Sequence, residues 1–216
     1  MVMAKIWRYL TQSDEERIRR AVVEAESRSR GEIVPMIVRA SDAYAHLHVT
    51  GGIAFAVSAF AIGIMVWPKS HPSWFLMLEL LGYVAGSLLF KIKSVKRFFL
   101  THQEMEARVF DRALRAFYEH ELHKTKESTG ILILASVLER RVRILADHGI
   151  HEKVGDAEWL KAADLMTRAL KEKRTGDGFC ETIAVCGDLL ARHFPVVGGK
   201  PGENPNELPD QPLQSA

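Results

Sequence analysis

The chain has 216 residues, enough for one ordinary domain with a real core plus something extra. Lys and Arg (29) nearly cancel Asp and Glu (27), so there is no electrostatic footprint for nucleic acid and none is expected as a partner. The two cysteines, Cys180 and Cys186, stand six apart in a helix-like segment and so point about 240° apart, which excludes a local disulfide or a CxxC zinc pattern and fits buried free thiols in a reducing compartment.

The opening MVMAKIWRYL is too short and too charged for a signal peptide. Residues 13–30 read as a helix. Ser13 and Glu16 have capping-box spacing, Ile18, Val22 and Ala25 recur on one side, and Gly31 ends it. EIVPMIVRA, residues 32–40, reads as a strand, and Pro35 inside it favours an edge position or a bulge.

VTGGIAFAVSAFAIGIMVW, residues 49–67, carries no charge and is long enough to cross a bilayer, which takes about 20 residues. WFLMLELLGYVAGSLLF, residues 74–90, follows with a single acid, Glu79. PKSHPS between them cannot continue a helix, and Trp67 and Trp74 flank it as an interfacial aromatic belt would. Ala59 and Gly63, then Gly82 and Gly86, have the four-residue spacing that lets membrane helices approach closely. The alternative is a helical hairpin buried in a soluble core. Glu79 is expected about one turn inside the second helix, snorkelling to the interface. His46 and His48 precede the first membrane helix and are expected at the interface. Lys91, Lys93, Lys96 and Arg97 follow the second run, against Lys69 alone in the connection. That asymmetry predicts both polar parts, residues 1–48 and 91–216, on the cytoplasmic side, with the basic stretch against anionic headgroups.

Beyond the hairpin, Thr101 and Glu104 have capping-box spacing, and a helix is expected to run to about residue 126 with Val109, Phe110, Ala113, Leu114 and Phe117 on its apolar side. His120 and His123, three apart on it, could share a metal. GILILASV, residues 130–137, suits a buried strand. RVRILAD, residues 141–147, alternates Val142, Ile144 and Ala146 with Arg141, Arg143 and Leu145 and reads as its hairpin partner. Residues 156–171 and 177–192 read as helices. The last stretch, VVGGKPGENPNELPDQPLQSA, is rich in Pro and Gly and reads as a disordered tail. The expected organisation is residues 1–48 and 92–195 folding together as one α/β domain, residues 49–91 as an inserted transmembrane hairpin, and residues 196–216 as tail.

The blocks SRGEIV (residues 29–34), GILILASVLERRVRILADHGI (130–150), Trp159 and GDLLARHFP (187–195) resemble the TPM-domain family, and within it a membrane-inserted bacterial branch of uncharacterised proteins. The resemblance implies a small mixed sheet sandwiched by helices. It also implies activities that differ among branches: acid phosphatase, calcium binding, or assembly and repair of membrane complexes. Other branches often carry an acid just before the glycine that opens the long strand. Ser128 and Thr129 stand there in this chain.

The constellation singled out for chemistry is Asp147, His148, His151 and Glu152, in the loop after a strand. Carboxylate plus imidazole can hold a divalent metal or supply an acid/base pair. The alternative is a polar loop in which Asp147 pairs Arg143 or caps the next segment. Arg140, Arg141 and Arg143 offer fork-shaped donors for a phosphate, Arg143 foremost. No P-loop, GxSxG, HExxH or Rossmann glycine pattern is present. Two functions follow as expectations: a membrane-anchored interaction or assembly module whose partners are the bilayer and another membrane complex, or a metal-assisted phosphatase.

Overall fold

The structure is a computed structural model and describes residues 9–125, 128–151, 153–196, 208 and 210–215. In chain order the elements are α1 (Gln12–Ser27), β1 (Glu32–Val38), α2 (Ala45–Val66), α3 (Pro72–Leu89), α4 (Lys93–Phe99), α5 (His102–Glu119), a 3-10 turn (Leu122–Lys124), β2 (Gly130–Ser136), β3 (Arg141–Ala146), α6 (His148–His151), α7 (Asp156–Lys171), α8 (Thr175–His193) and β4 (Leu213–Ser215). They form two compact units, residues 1–41 with 106–216, and residues 42–105.

The first unit is a four-stranded mixed sheet, order β3-β2-β1-β4, with helices on both faces. β1 and β2 run parallel with Glu32 opposite Gly130. β2 and β3 form the expected antiparallel hairpin, turning through Arg140 at positive φ. Strand residues alternate between two cores, as the pleat requires. Ile33, Ile37, Ile131, Ile133 and Ile144 pack with residues of α1, α7 and α8, including Ile18, Met166 and Ile183. Val34, Met36, Leu132 and Leu134 pack with Val109, Ala113 and Phe117 of α5. Both central strands are buried along their whole length, which is why they read as unbroken apolar runs.

Four local expectations are corrected. The first helix is capped by Thr11, not Ser13. The Thr11 hydroxyl accepts from the Asp14 N–H while the Asp14 carboxylate accepts from the Thr11 N–H. Two overlapping spacings competed, and either satisfies the rule. That helix also stops at Ser27, ahead of Gly31. The second difference is in α5, which ends at Glu119 because Glu121 takes a left-handed conformation. His120 therefore lies just past the end of α5 and His123 in the 3-10 turn, where His123 packs against Tyr118 at 5.0 Å between ring centroids. Third, the stretch read as disordered tail contains β4, which pairs in parallel with Met36–Val38 of β1. An open strand edge exposes unpaired backbone groups, and a three-residue extended segment is enough to meet them. Gln214 anchors it by donating to Glu15 at 2.7 Å. Fourth, Pro35 lies in an inner strand in regular register, not at an edge or a bulge. Its nitrogen is on the side away from β2, and β4 pairing begins only at the next residue, Met36.

In the second unit α2 and α3 pack closely through glycines. A Cβ on Gly82 would lie 2.8 Å from the Phe55 carbonyl oxygen and 3.0 Å from the Ala59 Cβ. One on Gly86 would lie 2.6 Å from the Gly51 carbonyl oxygen. The small residues singled out by spacing are thus the seam of the hairpin. His48 Nδ1 is 3.1 Å from the Ser87 carbonyl oxygen across this seam, and His46 lies 3.3 Å from Glu104. Thr101 caps α5 as expected, accepting from the Glu104 N–H.

Candidate functional site

Asp147 follows β3. Because β3 runs antiparallel to β2, this loop lies beside Gly130, at the N-terminal end of the parallel pair. That is the opposite end from the one where parallel α/β sheets place their sites. The Asp147 N–H donates to the Gly130 carbonyl at 2.9 Å, and its Oδ1 accepts from the His148 N–H at 2.7 Å. Its carbonyl accepts from the Ile150 N–H, so Asp147 caps the single turn of α6. Oδ2 is shielded from solvent with no hydrogen-bond partner. His148 is exposed. The side chain of His151 and the whole of Glu152 lie outside the described residues. Among the described residues no three His, Cys, Asp or Glu side chains converge on one point. Asp147 and His148 together supply fewer donors than a hard cation takes.

Arg143 projects onto the α5 side of the sheet, with its guanidinium 4.9 Å from the centroid of the Phe110 ring. Its Nε and that of Arg141 are shielded without hydrogen-bond partners. Arg140 stands in the turn before β3, at positive φ.

Two polar arrangements were not visible in the sequence. At the C-terminal ends of β1 and β2, the buried Glu139 accepts from the Ser136 hydroxyl and, at 3.0 Å, from the Ser41 N–H. The Ser41 hydroxyl donates to Ser136 Oγ at 3.0 Å. This network ties the β2–β3 turn to the segment leaving β1. The second arrangement is at the open side of β1, where Glu26 of α1 is buried and its Oε1 accepts from the Ile33 N–H at 2.7 Å. Burial pushes the Glu26 carboxyl up to about 8 against the pull of that hydrogen bond, and the charges of Glu32 and Asp210 add to the rise. Each cluster joins residues from separate segments, so neither has a spacing to find.

In the second unit, α2 and α3 are both long and apolar enough to cross a membrane. Their mean hydropathies are 2.1 and 1.3, and only 17% and 6% of their spanning windows are buried. Cys186 is buried and its thiol is pushed up to about 12, so it is inert packing. Cys180 is half-buried, and both cysteines are free.

Residues 90–189 match the family model of the TPM domain. Those residues therefore form a TPM domain, the family that the sequence blocks resemble. Among solved structures it is similar to the NMR structure of BA42 protein from the psychrophilic bacterium Bizionia argentinensis. The two share 21% identity with a TM-score of 0.59, over 99% of this chain and 100% of that one. At that identity the likeness concerns the fold. No curated protein matches the chain.

Proposed function

We propose that this is a membrane-anchored TPM-domain protein of the cell inner membrane, whose α/β domain faces the cytoplasm and serves as an interaction or assembly module for a membrane complex. The observation that carries the reading is the exposed apolar surface of α2 and α3. Met65 is 85% exposed, Leu76 68% and Leu80 64%. A soluble core helix passes the same length and hydropathy test only by being buried, and these two are not. Trp67 and Trp74, both exposed, bracket the connection as interfacial anchors. The basic collar of Lys91, Lys93, Lys96 and Arg97 favours the cytoplasmic side for the other end.

The interaction role is supported by the way the hairpin is inserted. It interrupts the chain between β1 and α5, so the sheet domain is tethered to the bilayer by two strands of chain. Other TPM branches act in assembly or repair of membrane complexes. The alternative, a metal-assisted phosphatase, would draw on the shielded Asp147 carboxylate.

The test is topology in intact cells. The protein is expected to stay with membranes after alkaline carbonate washing. A Lys69→Cys variant is expected to react with a membrane-impermeant maleimide from outside, while a cysteine placed at Ala216 reacts only after permeabilisation. Recovery in the soluble fraction would overturn the reading.

A further inference from the structure

Glu79 is the one charged residue in α3, and α2 carries no Asp, Glu, Lys or Arg. α3 starts at Pro72, so Glu79 lies two turns in, about 10 Å along the axis. Counted from Trp74, the interfacial anchor, it lies five residues or about 7.5 Å inside, close to the depth expected. Around the helix Glu79 lies between two surfaces. On one side is the stripe that meets α2, formed by Phe75, Leu78, Gly82 and Gly86. On the other is an exposed apolar flank of Leu76 and Leu80, while Tyr83 beyond them packs against Gly52 of α2. Glu79 is half-buried at that rim. Near its level α2 presents Ala56, Ala59, Phe60 and Gly63, with Phe60 5.9 Å from Phe75 between ring centroids. No hydrogen bond or ion pair reaches the Glu79 carboxylate among the described residues. The imidazole of His48 belongs to a level about 16 Å away along α2.

Resting on the membrane-anchored reading, we propose that Glu79 and the Leu76–Leu80 flank dock a membrane-spanning helix of another protein that presents a lysine or arginine at matching depth. An acid inside the hydrocarbon layer is retained where it pairs with an opposite charge. A second copy of this chain has no Lys or Arg in either spanning helix to offer, so charge complementarity selects a different protein. The exposed flank supplies the apolar contact, and the carboxylate supplies selectivity against helices that lack the cation.

The test uses the full-length protein in phospholipid vesicles with a fluorescent Leu/Ala transmembrane peptide that carries one Lys about 10 Å from its end. The control peptide has Leu at that position. Energy transfer from a donor on the protein is expected to report about tenfold stronger association of the Lys peptide. Glu79→Gln and Glu79→Leu should bring it down to the Leu-peptide level, with vesicle flotation of both variants unchanged. Equal association of the two peptides, or selectivity that survives in Glu79→Leu, would overturn the proposal while leaving the membrane reading intact. Energy transfer between two labelled copies that disappears in Glu79→Leu would assign the flank to self-association instead. Wild-type protein that fails to float with vesicles would overturn both readings.

Discussion

Glu26 is a buried side chain whose titration adds a pH dependence to the stability of the domain. Its carboxyl holds its proton up to about 8 in the folded chain, against 4.5 as the ordinary value. Below about 4.5 it is protonated in folded and unfolded chains alike. Between the two values the unfolded chain releases the proton and the folded chain keeps it, so stability from this group is full at the acid end and is lost as pH rises through about 8. Glu26→Gln keeps an acceptor for the Ile33 N–H and removes the titration. Denaturant unfolding of that variant across about pH 5 to 8 should show a flatter stability curve, by up to about 1.4 kcal/mol per pH unit. A wild-type curve as flat as the variant's would contradict the burial argument. Asp147 carries the opposite expectation. Its Oδ1 and carbonyl are occupied in capping α6. Titrating Mg, Mn or Zn against thermal stability should therefore give the same result for wild type and Asp147→Ala. A metal-dependent stabilisation lost in the variant would move the functional reading to a metal-assisted phosphatase, since a ligand at 100 times its Kd adds about 2.7 kcal/mol.

Among the elements, α1 and α8 cross closely in the sheet domain. A Cβ on Gly187 would stand 2.6 Å from the Ala25 Cβ and 3.1 Å from its Cα, atoms that cannot swing aside. Alanine is the better helix former by about 1 kcal/mol, so propensity alone favours Gly187→Ala. Overpacking in a filled core costs about 1–3 kcal/mol and should win. The variant is expected to melt several degrees below wild type, and an unchanged or raised Tm would show that the helices can move apart. The same distinction explains which elements were legible. α7 was expected at 156–171 and occurs as Asp156–Lys171, because its apolar spacing is regular and both ends are marked. α5 overran its true end because its apolar pattern continues through Leu122, which is buried but in a 3-10 turn beyond a left-handed Glu121. Periodicity records which residues are buried, and a change of backbone direction between them leaves no mark in it.

At the scale of the molecule, the sheet unit draws on residues before and after the insertion: β1 comes from one side, and β2 and β3 from the other. All of its described core residues lie outside residues 42–105. Replacing residues 43–101 by a short flexible linker should therefore leave a soluble protein that unfolds in one cooperative transition, followed by circular dichroism and tryptophan fluorescence. A non-cooperative or molten product would show that the hairpin is needed to fold the sheet. The linker has to join the end of β1 to the start of α5, and the entropy of closing a loop grows slowly with its length.

The sequence by itself determined the composition of each layer. The uninterrupted apolar runs became β1 and β2. The Val142–Ile144–Ala146 alternation became a hairpin strand. The paired glycines became the seam between α2 and α3. These follow from local spacing, because a pleat or a helical turn converts sequence distance directly into a face. The polar sites were settled only in three dimensions. Asp147 ends a strand, and the antiparallel course of β3 carries it to the N-terminal end of β2. Glu26 meets Ile33 because α1 folds back over β1. Glu139 meets Ser41 because β1 and β2 end side by side, and a composition-poor tail gains a strand because β1 leaves an edge open. Each of these depends on which segments the core brings together, and pairings between distant segments are fixed by the packing of the whole sheet, which no local window contains.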